Sequence, residues 1–377
     1  MFDWKNFLRI AYLSLIRLDR WTVPRNVKTY VGRLCFLVIG LAFELFNGFC
    51  FILDNVLYPD WRCHCLKRPV FIIGPPRSGT TFLHRLLALD EKTFYCFRTW
   101  EIIFPAVTQK RVMRWLNALT GYRVARLFRR LEESLFKEFN KMHPVSLFAP
   151  EEDDYLLLHI FSGHDLIWMF PFPELEAYFR FDEQLSQADR QRIMRFYRQC
   201  IQRQGFYLQH HGTYLSKAPA SSARIRSLLE TFPDAKIFYL VRNPLEVIPS
   251  MINLAHHVWK KMVGMEGDFP LKEQIYDTLK YYYTYPLSFA KQNPKAELVF
   301  ISYEELVAKP KDVVQKIYEN LGLSMSEEFS RQLDVEEEKA RRYKSSHKYD
   351  LDSMLIRRER IVDDLLEIFD RFNLSKS

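Results

Sequence analysis

The chain has 377 residues, 48% of them apolar and 15% aromatic, enough for a sizeable core in one domain or two. Twelve glycines are few, and neither an internal repeat nor a Ser/Gly-rich linker is visible, which argues against long flexible or low-complexity stretches. The net charge of +8 favours anionic ligands or an anionic membrane surface; zinc-finger spacing and an aromatic RNA-binding signature are both absent from the sequence, so nucleic acid is not an expected partner.

Residues 1–33 carry seven basic side chains (Lys5, Arg9, Arg17, Arg20, Arg25, Lys28, Arg33) against Asp3 and Asp19. Trp4, Phe7, Leu8, Leu15 and Trp21 are interspersed with them, as in a basic helix lying on a membrane surface. Leu34 to Leu53 is then a run of twenty residues with a single charge, long enough to span a bilayer. Glu44 falls near its centre, where an acid costs about 3 kcal/mol. Arg33, Gly40, Glu44 and Asn47 share one helical face, the pattern of an interfacial or buried helix. The segment is therefore read first as monotopic on the cytoplasmic face, with a single-pass anchor and a domain-packing helix as alternatives. A cleaved signal peptide is a poor fit, because the apolar run starts too far in. The six cysteines are scattered and show no disulfide framework, and Cys63-His64-Cys65 is too tight for an ordinary zinc site.

At residue 68 the pattern changes. "RPVFIIG" is short, apolar and bounded by prolines, the signature of a buried parallel strand, and Thr81 to Leu89 has helical periodicity. The turn between them resembles a phosphate-binding loop without its lysine: Gly79 follows Gly74 by five residues, but Thr80 stands where the lysine belongs. A helix mouth with spare N–H groups from Ser78 to Thr81, the guanidinium of Arg77 and the hydroxyls of Thr80 and Thr81 make an anion site. A second strand and helix unit runs from Phe232 to Leu254, with Arg242 at the carboxyl end of the strand and Ser250 two helical turns on. A nucleotide triphosphatase needs a magnesium-binding acid at that place, so a metal-independent nucleotide with two separate anionic ends is the expected ligand.

These residues resemble a known motif pair. "PRSGTT" followed far downstream by "VRNPLEVIPS" is similar to sulfotransferases that use 3'-phosphoadenosine 5'-phosphosulfate (PAPS), in particular the branch that includes tyrosylprotein sulfotransferases and bacterial-type enzymes. The resemblance implies that Arg77, Ser78, Gly79, Thr80 and Thr81 grip the 5'-phosphosulfate, that Arg242 and Ser250 hold the 3'-phosphate, and that Tyr303 packs near the adenine. It implies Lys217 beside the transferring sulfuryl group and Glu101 as the base, with no metal required. Asn243 departs from the usual Asp and puts helix capping in question more than binding. The rivals of Glu101 are His143, Glu151, Glu152 and His159, although an acidic run such as 151–154 is most often a solvated helix start. Lys348 falls where the family closes its cofactor site but is read as a surface residue, and the basic stretch Arg111 to Asn140 as a wet face or a contact for lipid headgroups.

The expected fold is α/β: a P-loop-like parallel sheet flanked by helices, with strands near Val70, Lys236 and Leu298 and a helical acceptor-side insert between Glu101 and Gln204. A membrane-associating segment, 1–67, would precede a sulfotransferase catalytic domain, 68–377. The expected activity is transfer of a sulfuryl group from PAPS to a hydroxyl-bearing acceptor, a lipid, a carbohydrate or another small molecule. The alternatives are a P-loop kinase or NTPase and a non-catalytic nucleotide-binding membrane protein.

Overall fold

The computed structural model describes residues 2–18, 27–123, 126, 132, 146–263, 271–342 and 356–376; His143 and Lys348 lie outside them. Helix α1 spans Trp4–Leu15 and α2 Val27–Leu57. The core then opens with strand β1 (Val70–Ile73) and helix α3 (Thr80–Leu87), followed by β2 (Phe94–Tyr95), α4 (Thr99–Ile103) and α5 (Val107–Leu119). Three 3₁₀ segments, Asp153–Ile160, His164–Trp168 and Pro173–Arg180, lead to α6 (Gln187–Leu208). The chain continues through β3 (Thr213–Lys217), α7 (Ile225–Thr231), β4 (Lys236–Val241), α8 (Pro244–Val263), α9 (Lys272–Gln292) and β5 (Leu298–Ser302). It ends with α10 (Tyr303–Ala308), α11 (Pro310–Leu321), α12 (Glu327–Arg342), α13 (Arg358–Asp364) and α14 (Leu366–Arg371).

The five strands form one parallel sheet in the order β2-β3-β1-β4-β5, the α/β architecture expected from the two strand and helix units. Sequence periodicity located three of these strands; β2 and β3 were not foreseen, being short and largely devoid of β-branched residues. Side chains of β1 alternate between two cores. Val70 and Ile72 pack with Leu83 and Leu86 of α3 and with α11, whereas Phe71 and Ile73 pack with α6, α7 and α9. Strand β1 is thus buried on both faces, which is why it reads as a continuous apolar run. Between Glu101 and Gln204 the described residues hold helices and 3₁₀ turns and no strand, the helical insert anticipated on the acceptor side.

The N-terminal helices belong to the larger core. Phe7, Ile10, Leu13, Leu37, Cys50 and Phe51 share it with Phe71, Tyr214 and Ile237. Helix α2 is inverted relative to a soluble helix: Arg33, Asn47 and Asp54 are buried, whereas Val38, Ile39, Leu45, Phe49, Ile52 and Val56 are exposed. Each inward polar group has a partner. Asp54 pairs with Arg203 at 3.0 Å and accepts the Val107 and Thr108 N–H groups at the start of α5. Glu44 meets His159 Nδ1 at 2.9 Å, and Asn47 accepts from Gln109. The guanidinium of Arg33 lies over the Phe172 ring. The shared face of Arg33, Gly40, Glu44 and Asn47 is thus the inward face, and apolar side chains are left outside. Helix α2 is also the one described helix long and apolar enough to cross a membrane. Exposed apolar residues continue on α1 (Trp4, Leu8, Tyr12) and on α5 (Val112, Trp115, Leu119). The described arginines of the stretch 111–140, Arg111, Arg114, Arg123 and Arg126, are exposed, as the wet-face reading expects, with these apolar side chains between them; Arg111 also lies over the Tyr58 ring.

Candidate active site

The loop between β1 and α3 is built around backbone that requires glycine. Gly74 and Gly79 have φ of +142° and +89°, and a Cβ on Gly79 would stand 2.8 Å from Tyr303 Cδ2. A Cβ on Gly74 would meet the Leu240 carbonyl at 2.6 Å. Loop, β4 and α10 are therefore in direct contact, and the spacing Gly74 to Gly79 is a packing requirement as well as a conformational one. Arg77 occupies the left-handed region at φ 71°, where a non-glycine residue is strained, a pattern common at binding loops. Ser78 and Thr80 are buried, and the Ser78 hydroxyl has no protein partner. The Ser78 N–H donates to the Pro75 carbonyl, and Ser78 does not line the cleft, so the mouth of α3 from Gly79 on is what favours an anion there.

The second motif closes on the first. Arg77 Nε donates to Ser250 Oγ at 3.2 Å, and Arg242 donates to the Arg77 carbonyl at 2.9 Å. The Arg242 guanidinium lies 4.1 Å from the Tyr303 ring centroid and is paired with Glu246 at 2.6 Å. Tyr283 donates to the Arg242 carbonyl and holds the carboxyl end of β4 in place. Asn243 caps α8, its Oδ1 accepting from the Leu245 N–H at 2.9 Å, so its departure from Asp leaves the cap intact. Arg77, Gly79, Thr80, Thr81, Arg242, Ser250 and Tyr303 all line one cleft of about 1440 Å³.

The opposite wall of that cleft is assembled from the acidic run. Rather than a solvated helix start, Glu151, Asp153 and Asp154 are buried, and β3 holds three of the four consecutive acids. Lys217, at the end of β3, is fully buried and pairs with Glu152 at 2.6 Å and Glu151 at 3.5 Å. Asp153 accepts from Tyr197, Tyr214 and Ser216, and burial raises its carboxyl to about 6. Asp154 bridges Arg224 and His164 at 2.5 and 2.8 Å. Between Asp154 and Asp165, burial is outweighed and His164 is pushed up to about 9. Asp154, His164 and Asp165 present ligand-type atoms within 4.8 Å of one another, but a cation there would compete with Arg224 and with the His164 proton.

Of these residues Glu152 lines the cleft, together with Tyr155, His164 and Asp165. Glu101 does not. Its carboxylate turns inward, accepting from the Arg98 N–H at 2.8 Å and from Gln204 at 2.9 Å, and burial raises its pKa. His159 is likewise committed, between Glu44 and the Ile102 carbonyl. Glu152 was only one of several rivals in the sequence. The signal that marks it is an acidic run followed at once by apolar residues, with the buried bases Lys217 and Arg224 supplied from elsewhere.

The description of the sulfotransferase family matches residues 69–327, more than half of the chain. The chain belongs to that family. Its curated relatives include the omega-hydroxy-beta-dihydromenaquinone-9 sulfotransferase Stf3 of Mycobacterium bovis, 26% identical over 332 residues that cover 82% of this chain and 76% of the relative. The Mycobacterium tuberculosis protein of the same name matches equally. Among solved structures, sulfotransferase STF9 from Mycobacterium avium superposes with a TM-score of 0.76 at 19% identity, covering 100% of this chain and 93% of that one. STF1 from Mycobacterium tuberculosis gives 0.72 at 20% identity, with 96% and 92% covered. These two likenesses show the fold. The protein is a sulfotransferase, transferring a sulfuryl group to a hydroxyl acceptor, and PAPS is the donor that its family generally uses.

Proposed function

We propose that this sulfotransferase takes PAPS on the loop side of the cleft and an amphipathic hydroxyl acceptor on the other, with Glu152 as the base. The observation that carries the reading is that one cavity is lined both by the anion-binding set Arg77, Gly79, Thr80, Arg242 and Ser250 and by Glu152, itself 2.6 Å from Lys217. The loop from Arg77 to Thr81 holds the 5' end of the donor, Arg242 and Ser250 its 3'-phosphate, and Tyr303 the adenine side. An acceptor hydroxyl has a pKa far above 7, so Glu152 accepts its proton as the new oxygen–sulfur bond forms. The bond from sulfur to the bridging oxygen breaks, and the charge left on that oxygen is met by Arg77, while Lys217, buried behind the cleft wall, holds Glu152 in place. This chemistry is positioning and electrostatics, and nothing in it calls for a metal. Glu101, in this reading, shapes the acceptor side through Arg98 and Gln204 instead of touching substrate.

The acceptor class rests on two supports: the relative named for a hydroxylated menaquinone, and the outward apolar faces of α1, α2 and α5. Residues 1–67 would seat the catalytic domain, 68–377, monotopically on the cytoplasmic face of a membrane, where an apolar acceptor resides. Calorimetric titration with 3',5'-bisphosphoadenosine, without magnesium and beside ATP, tests the donor site. Micromolar binding that discriminates against ATP supports it; magnesium-dependent binding of ATP would return the kinase reading. Flotation with vesicles containing anionic lipid tests the membrane seat, and recovery of the protein only in the lipid-free fraction would remove it.

A further inference from the structure

Beside the cleft lies a second cavity of about 440 Å³, between α1, α2 and the segment 155–166. Its walls are almost wholly apolar, among them Phe7, Phe36, Leu41, Phe161 and Leu166. The lining charges are Glu44 and His159, which pair with each other, and Glu151, held by Lys217. No lining charge therefore asks for a polar ligand. The cavity is within the range of small-molecule sites, and its volume corresponds to about fifteen waters at ~30 Å³ each.

Its position relates it to the reaction. Tyr155 and Leu158 line both the chamber and the cleft. Of the two adjacent acids on Lys217, Glu151 faces the chamber and Glu152 the cleft. The partition between the two spaces is thus the lysine and carboxylate site itself. At the other end the chamber reaches Phe36 and Gly40 of α2; Phe36 is partly exposed on the outward apolar face, and Gly40 has nothing within 4 Å of where its Cβ would be. Of the three glycines of α2, Gly40 alone lines the chamber, and its missing side chain leaves that end of the space open.

We infer that this chamber holds the apolar chain of the acceptor, entering past α2 from the membrane side, while the terminal hydroxyl reaches Glu152 across Tyr155 and Leu158. The inference rests on the sulfotransferase reading above and assigns the occupant as a single alkyl or polyprenyl chain, with on the order of ten carbons accommodated if a methylene is taken as about the size of a water. A second protein segment is a poorer occupant, since its backbone would bring N–H and C=O groups into a space without partners for them.

The test uses the full chain in detergent micelles with primary n-alkanols of four to sixteen carbons as acceptors. The kcat/KM is expected to rise about fourfold per methylene, the ~0.8 kcal/mol of each buried CH2, and to level off near the chamber's capacity. Gly40→Phe, which puts a benzyl group into the chamber, should flatten this series by raising KM for the long members at least tenfold. Butanol turnover and bisphosphoadenosine affinity should remain. Gly40→Leu, a good helix former of smaller bulk, should give an intermediate result and controls for misfolding through its thermal midpoint. A dodecanol carrying a terminal diazirine gives a readout independent of turnover: it should label peptides spanning 36–44 and 155–166, and should cease to do so in Gly40→Phe. Persistence of the full chain-length dependence or of the labelling in that variant overturns the inference. Loss of bisphosphoadenosine binding in the parent protein would instead overturn the donor reading, so the two failures are distinguishable.

Discussion

The two sides of the cleft are built by different means. On the loop side the lining groups come from two short stretches, 74–81 and 242–250, plus Tyr303, each following the carboxyl end of a strand where the parallel sheet delivers them together. On the opposite side, four consecutive acids are parcelled out to Lys217, to Tyr197, Tyr214 and Ser216, and to Arg224 and His164, partners 10 to 70 residues away in chain order. A site made of backbone geometry is local and tolerates little variation in spacing. One made of buried ion pairs depends on every element that supplies a partner, and stays intact only if all of them do.

The sharpest way to break this comparison is Glu152→Gln. A positioned base contributes about 10²- to 10⁴-fold, so kcat should fall by that order while bisphosphoadenosine affinity stays within about twofold. Glu101→Gln run in parallel should leave most of kcat; the reverse pattern would return the base to Glu101. Asp154→Ala comes next and acts on stability. It leaves Arg224 buried without its carboxylate, and chemical denaturation should show a loss of about 3–5 kcal/mol, with a smaller loss for Asp154→Asn. On the nucleotide side Arg242→Ala should weaken bisphosphoadenosine about 10- to 100-fold, the worth of a charge-assisted contact with phosphate, and leave the acceptor KM unchanged.

The smallest effect separates the two sides by pH. His84, on α3 beside Lys217 and Arg85, is held at about 3 by burial and so stays neutral. Below pH 6.5 the unfolded chain takes up a proton that the folded one refuses, so stability is full above 6.5 and is lost as pH falls. His164 behaves oppositely: at about 9 its contribution is full below 6.5 and lost as pH rises through 9. Each change should be of the order of 2 kcal/mol over two pH units, and His84→Gln and His164→Gln should each remove one limb of the stability profile. Unchanged acid and alkaline limbs in these variants would show that other groups dominate.

The loop around Arg77 was legible because a strand, a glycine turn and a helix are local facts, and the missing lysine is visible as a substitution. Arg242 was legible through its place at a strand end and Ser250 through its spacing of two helical turns from it, whereas Tyr303 rested on the family resemblance. Glu101 rested on the family resemblance, at a matching place after the first helix, and a matching place along the chain does not say which way a carboxylate turns. Inside a five-residue helix it can cap its own first turn, and Glu101 does. The solvated reading of residues 151–154 failed for a related reason, since charge in a run implies solvent only when no buried base is present to meet it. Helix α2 was read more completely, because one periodicity puts Arg33, Glu44 and Asn47 on a single face whatever they touch.

By itself the sequence determined the α/β class, the phosphate-type loop and its arginine partners, and a helix with its polar residues on one side. Those features are set by interactions within a turn or between neighbouring strands, so spacing suffices to write them. Tertiary structure alone decided which carboxylate meets Lys217, which way Glu101 faces, and that α2 walls an apolar chamber adjoining the cleft. Each of these depends on burial, and burial is a property of what the rest of the chain brings alongside.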